Sequence, residues 1–322
     1  MKYTRYTRKT KLSGIIIVCV IVLAVNSAII KIMPAFKLYN EKNFAGAVLT
    51  EEDYSEYADI EDQGIKPDDD YIERFLRPSA SAPLEKKYYI GNVKYNIPQK
   101  FQSPDEIVRA YFDILSDASY MGDKKGGCGS IGLGNMPYPK AYDLLSDDFK
   151  RNMPYDKFFK SFKGIGHINL LKLIDAPAIK IDNRIGAQIF VEIETIEGTD
   201  SAGKTSFCYY YGFITALDDK NNGWKINSIQ LKSEDFLCHA YHGWNHEASA
   251  IVSIIYGKQL GIISTITGIE ERGYFRNVSA RSKDGKQYRF QFVRVTNGAD
   301  IELRQSVMQD GKWKDIEISK KQ

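Results

Sequence analysis

The chain has 322 residues, 44 of them Lys or Arg and 41 Asp or Glu, for a formal charge of +3. Five of the basic residues (Lys2, Arg5, Arg8, Lys9, Lys11) precede position 12, which leaves 39 basic against 41 acidic groups and no general nucleic-acid surface, since that needs a basic stripe to displace counterions. Hydrophobic residues at 43% and aromatics at 12% supply material for a sizeable core, enough for one large or two small domains.

Behind the basic residues, Leu12 to Ile30 form an apolar run. Nineteen residues at ~1.5 Å rise give roughly 28 Å of helix, close to the ~30 Å of bilayer hydrocarbon, with the basic flank on the cytoplasmic side. The expectation is a single-pass membrane protein with a cytoplasmic tail (1–11), an anchor (12–33) and the bulk of the chain extracytoplasmic. A cleaved signal is the alternative, because Val25-Asn26-Ser27 offers small side chains, but apolar residues continue through Ile32 and Met33.

From Glu51 to Glu73 eleven acids stand against Lys66, and Pro67, Pro78 and Pro83 follow or interleave. Residues 34–99 read as an extended juxtamembrane spacer that holds the folded part off the bilayer. Asp68-Asp69-Asp70 lacks the ligand spacing and Gly turn of a calcium loop.

Ser103-Pro104-Asp105-Glu106 reads as a capping box opening a helix whose apolar face is Val108, Tyr111, Phe112 and Leu115. Shorter helices are expected around Lys140 to Leu145 and Tyr155 to Phe162. After Gly166 the period changes to two: Ile189, Val191 and Ile193 alternate with Glu192 and Glu194, which should face solvent, and Phe207, Tyr209, Tyr211 and Phe213 follow. Asn221-Asn222-Gly223 turns the chain into Trp224-Lys225-Ile226. With 21 tyrosines in the chain, sheet packing is the ordinary role for these rings.

Three helices followed by a curled antiparallel sheet, with Ser103-Pro104-Asp105-Glu106, Met153-Pro154-Tyr155 and Asn222-Gly223-Trp224-Lys225-Ile226 at the element starts, resembles the nuclear transport factor two-like (cystatin-like cone) superfamily over residues 100–240. The resemblance implies an α+β cone whose sheet curls around the first helix and leaves a tapered pocket, lined here by Tyr111, Tyr209, Tyr211 and Trp224. Relatives use that pocket for catalysis, for ligand binding or not at all, so fold does not give function. Residues 241–322 read as an amphipathic helix (Ala248, Ile251, Val252, Ile255) and a β-meander with turns at Asp284-Gly285 and Asp310-Gly311. The string Asp310-Gly311-Lys312-Trp313 echoes Asn222-Gly223-Trp224-Lys225, so a degenerate second copy of the sheet is left open.

Chemistry-bearing residues are sparse. His239, His242 and His246 have the i, i+3, i+7 spacing that would place three imidazoles on one helical face for zinc, but Gly243 interrupts it. Cys208 and Cys238 are the candidate disulfide, Cys128 lies in a loop, and Cys19 lies in the apolar run. Gly127-Cys128-Gly129-Ser130-Ile131-Gly132 matches a dinucleotide fingerprint without the strand before it or the helix after it. His167 has no evident partner. No catalytic signature stands out and no cofactor is called for. The leading expectation is a membrane-anchored binding or assembly module among other envelope proteins, with a layout like that of bitopic scaffold subunits of conjugation and type IV secretion channels. A surface hydrolase or isomerase and a small-ligand sensor are the alternatives.

Overall fold

The helix α1 (Pro104–Leu115) is buried on almost every side: Ile107, Val108, Ala110, Tyr111, Phe112, Ile114 and Leu115 all lie in the core. A helix of that kind needs walls all round. A computed structural model supplies them for residues 43–50, 80–89, 96–121, 132–181, 183–198, 205–220, 222–234 and 243–319. The expected tail, the anchor, the acidic run and the Gly127–Ile131 stretch with Cys128 lie outside the described residues. Among the described residues no helix is long and apolar enough to cross a membrane.

Pro104 opens α1 with its φ preset, but the expected capping box is not made: Ser103 forms no side-chain cap, and Glu106 instead accepts from the Gln102 amide at 3.4 Å. Three short helices follow where two were expected: α2 (Pro137–Asp143), α3 (Asp147–Asn152) and α4 (Tyr155–Lys160). The unforeseen α3 is capped by Ser146, whose hydroxyl accepts from Phe149 N at 3.1 Å. Phe149, Phe158 and Phe162 from this layer are buried against α1 and the sheet.

The first sheet is built from β1 (Asn43–Phe44), β2 (Ala47–Leu49), β3 (Ile165–Ile181), β4 (Arg184–Glu197), β5 (Ser206–Asp219) and β6 (Gly223–Ser233), in the order β1-β2-β6-β5-β4-β3. It is mixed and not purely antiparallel, because β2 runs parallel to β6 through Val48↔Gln230 and Leu49↔Leu231. Register shifts in β3 between Ile165 and His167, Leu170 and Lys172, and Ala176 and Ile179 mark bulges that bend this long strand.

Beyond it, a helix starts at Ala248–Ile251 (α5) and widens into wider-pitched π-type turns over Val252–Gln259. It packs through Ala248, Ile251, Val252, Ile255 and Tyr256 on Val278, Ala280, Phe290 and Phe292 of a second, antiparallel meander sheet. Its strands are β7 (Thr265–Arg272), β8 (Phe275–Arg281), β9 (Gln287–Arg294), β10 (Asp300–Gln309) and β11 (Lys312–Ile316). The Asp310-Gly311 turn, with φ of 51° and 72°, joins β10 to β11 as a two-residue hairpin. Fold class is therefore α+β, with helices on a six-stranded mixed sheet and a five-stranded meander beside it.

Candidate functional site

The helices and the first sheet, called the cone below, share one core that a hairpin joins. The hairpin β1–β2, which falls within the stretch read as spacer, extends the sheet at its β6 edge: Ala45 and Ala47 are in the core and Phe44 stacks on Tyr210 with ring centroids 4.3 Å apart. Ser161 holds the hairpin tip, its carbonyl accepting from Ala45 N at 3.0 Å and its hydroxyl from Gly46 N at 2.7 Å. Gly46 sits at φ +77°, where a Cβ would come within 2.5 Å of Tyr111 Oη and 2.6 Å of Phe158 Cε2. Only glycine lets the chain pass here.

The four residues expected to line one pocket are therefore not brought together. Tyr111 is fully buried in the cone, its hydroxyl without a hydrogen-bond partner among the described residues. Tyr209 and Tyr211 point to the opposite face of β5. Tyr209 donates to Glu194 Oε2 at 2.7 Å, and Tyr211 packs with Phe190, Val293 and Leu303. Tyr210 is the member of the triplet that faces the cone; it donates to Glu197 Oε1 at 2.8 Å, and burial first, then that carboxylate, raises its pKa. Trp224 is half-buried at the sheet's helical side and donates to the Gln102 carbonyl at 3.1 Å. Strand alternation alone leaves the phase of three consecutive tyrosines undetermined, and the cover that the meander gives the other face sets it.

Of the histidine set, His239 and His242 lie outside the described residues, as does Cys238. His246 ends a single tight turn (Trp244–His246) beside a cavity of about 140 Å³ that Tyr211, Phe213, Gln230 and Ile301 also line. Among the described residues no group of three or more His, Cys, Asp or Glu is placed to hold a metal ion. Cys208 is half-buried with Sγ 3.7 Å from Ser206 Oγ, and burial pushes its thiol up.

The outer face of the first sheet carries what sequence reasoning missed. Glu192 was expected in solvent because it alternates with Ile189, Val191 and Ile193; it is 0% exposed, since the meander covers that face. Its Oε2 pairs with Lys172 on β3, itself 3% exposed. Its Oε1 accepts from both the backbone N, at 2.8 Å, and the hydroxyl of Thr296 in the β9–β10 turn. Glu234, just past β6 and 6% exposed, accepts from Asn297 N at 2.8 Å through Oε2. Burial, and next the charge of Glu192, hold the Glu234 carboxyl well above the usual carboxylate range. Glu194 is also turned away from bulk solvent and is half-buried between Asn169, which donates to it at 3.0 Å, and Tyr209. Apolar packing of Phe190, Tyr211, Val293, Val295, Ala299 and Leu303 surrounds this polar core.

A second concavity, of about 350 Å³, lies between α1, β3 and residues 80–89, which form a strap. The strap's Leu84 N bonds the Leu170 carbonyl at 2.8 Å, and Lys86 pairs with Asp117 at 2.6 Å. Asp113, a carboxylate in the apolar stripe of α1, accepts from Lys87 N at 2.8 Å and Tyr88 N at 3.1 Å; burial raises its pKa despite those two donors. His167 lines the same groove and does have a partner, its Nε2 lying 2.8 Å from Asn169 Oδ1. Because Asn169 Nδ2 donates to Glu194, its Oδ1 faces the ring, which assigns the imidazole proton to Nε2. The signal for Asp113 was in the sequence as an acid on the buried side of an amphipathic helix. The His167 relay joins β3 to β4 and β5 and is visible only in three dimensions.

On the open side of the meander, Arg289 lies 4.2 Å over the Trp313 ring, with Arg281 on the neighbouring strand and Arg304 paired to Asp315 at 2.6 Å.

No family model matches the chain, and no curated protein matches it. A solved structure described as "Ntf2 like protein involved in plasmid conjugation" is a weak structural match, covering 54% of this chain and 90% of its own at 13% identity, with a TM-score of 0.19.

Proposed function

We propose that this chain is a membrane-anchored, extracytoplasmic binding or assembly module whose partners meet its outer surfaces rather than its cone. The observation that carries the reading is the packed core around Tyr111: the ring is fully buried, Gly46 of the hairpin lies against its hydroxyl, and Ala45 and Ala47 belong to the same core. A ligand site built around Tyr111 would need open space at that ring. The layout of basic tail, apolar run and cone supports the finer reading, a scaffold subunit of a conjugation or secretion channel.

The test is in-cell photo-crosslinking in the native host, with crosslinkers installed at Arg281 and Arg289 on the open meander face. Capture of membrane-channel or secretion proteins with the full chain, lost when residues 1–33 are deleted, supports the reading. A chain that crosslinks to nothing at either position overturns it.

The groove beside His167 favours a second reading, a small-ligand binder. That reading requires a compound that raises the melting temperature of the wild type and fails to raise that of His167→Ala.

A further inference from the structure

The cluster between the two sheets sets two buried carboxyl groups against one ammonium. Glu192 has both oxygens engaged, one by Lys172 and one by Thr296. Glu234 has one oxygen on Asn297 N, while its Oε1 is buried without a hydrogen-bond partner among the described residues and faces the Glu192 carboxyl. Two acceptors cannot satisfy each other. A proton on Glu234 Oε1 converts the contact into an O–H···O bond to Glu192 and balances the single Lys172 charge against a single carboxylate.

We propose that Glu234 and Glu192 form a proton-operated latch: with the shared proton in place the β9–β10 turn is held on the cone, and loss of that proton loosens it. The charged groups bearing on Glu234 are Glu192 from β4 and Lys172 from β3. The turn itself contributes Thr296 and Asn297, which do not titrate, and the β7–β8 turn places the Tyr274 ring 5.4 Å from Lys172 Nζ. Deprotonation therefore leaves two carboxylates against one ammonium in a site closed to water, the arrangement that a buried cluster tolerates least.

The sign follows from linkage. Glu234 binds its proton more tightly docked than free, so its contribution is complete below the ordinary carboxylate range and is lost as pH rises through its folded pKa. Between those limits the opening constant of the turn rises about tenfold per pH unit.

The experiment is hydrogen exchange of the full chain in detergent, followed at peptides covering residues 293–303 from pH 5 to 9 and corrected for intrinsic exchange. The expected result is that steep rise in the wild type and a flat, low opening constant in Glu234→Gln, which keeps a neutral side chain of the same size. Carbon-13 carboxyl titration of wild-type Glu234 is the companion measurement and stands whether or not the variant folds. Equal slopes in both chains, or a Glu234 carboxyl that titrates in the ordinary range, overturns the latch.

Discussion

Gly46→Ala is the sharpest test of the closed cone. At φ +77° an L-residue costs about 1–2 kcal/mol before any contact is considered. The added methyl would then overlap Tyr111 Oη at 2.5 Å and Phe158 Cε2 at 2.6 Å, both fully buried and neither able to swing away. The hairpin backs out instead. It gives up the two bonds to Ser161, at about 1 kcal/mol each, and the Phe44–Tyr210 stack, at about 0.5–1.5 kcal/mol. A loss of about 3.5–5.5 kcal/mol in urea unfolding of the full chain is expected. Tyr111→Phe is the control. It removes a buried hydroxyl that has no protein partner among the described residues and should be neutral or stabilising by about 1 kcal/mol. Combined with Gly46→Ala it should restore part of the loss and not all, because the Phe158 overlap remains. A Gly46→Ala chain within about 0.5 kcal/mol of wild type would refute the reasoning, since the strain alone exceeds that.

Lys172→Met leaves the Glu192 carboxylate buried without its cation and should cost about 3–5 kcal/mol by the same unfolding assay; adding Glu192→Gln should recover a large part of it. Ser146→Ala removes the α3 cap and should cost about 1 kcal/mol, with hydrogen exchange at Phe149 N rising before that of α1. Asp300→Asn strips the buried acid that serves Ala248 N, Arg276 and Arg294, so the melting transition should fall by several degrees and the α5 amides should lose protection first.

The elements most legible in the sequence are those whose pattern has one cause. Pro104 followed by the Val108, Tyr111, Phe112 and Leu115 stripe specifies α1, and Asp310-Gly311 between alternating segments specifies the last hairpin. Glu192 was misread because polar alternation has two causes: a face exposed to water and a face covered by a second layer with its own polar partners look identical along one strand. Lys172 and Glu234, which answer that carboxylate, are 20 and 42 residues away from it in sequence. The β2–β6 pairing was illegible for a related reason. Ala47 to Leu49 is too short to announce a strand, and what makes it one is the open edge of β6, more than 180 residues downstream.

The hairpin and the strap tie both flanks of the acidic run to the fold. A spacer is a segment free at one end of the fold, but residues 43–50 and 80–89, which flank the run, are both docked on the cone. The first is held by Ser161 and by the parallel pairing with β6; the second is held by Asp113, Asp117 and Leu170. Thr50 and Ala80 thus bracket the eleven acids from Glu51 to Glu73 with docked chain on both flanks.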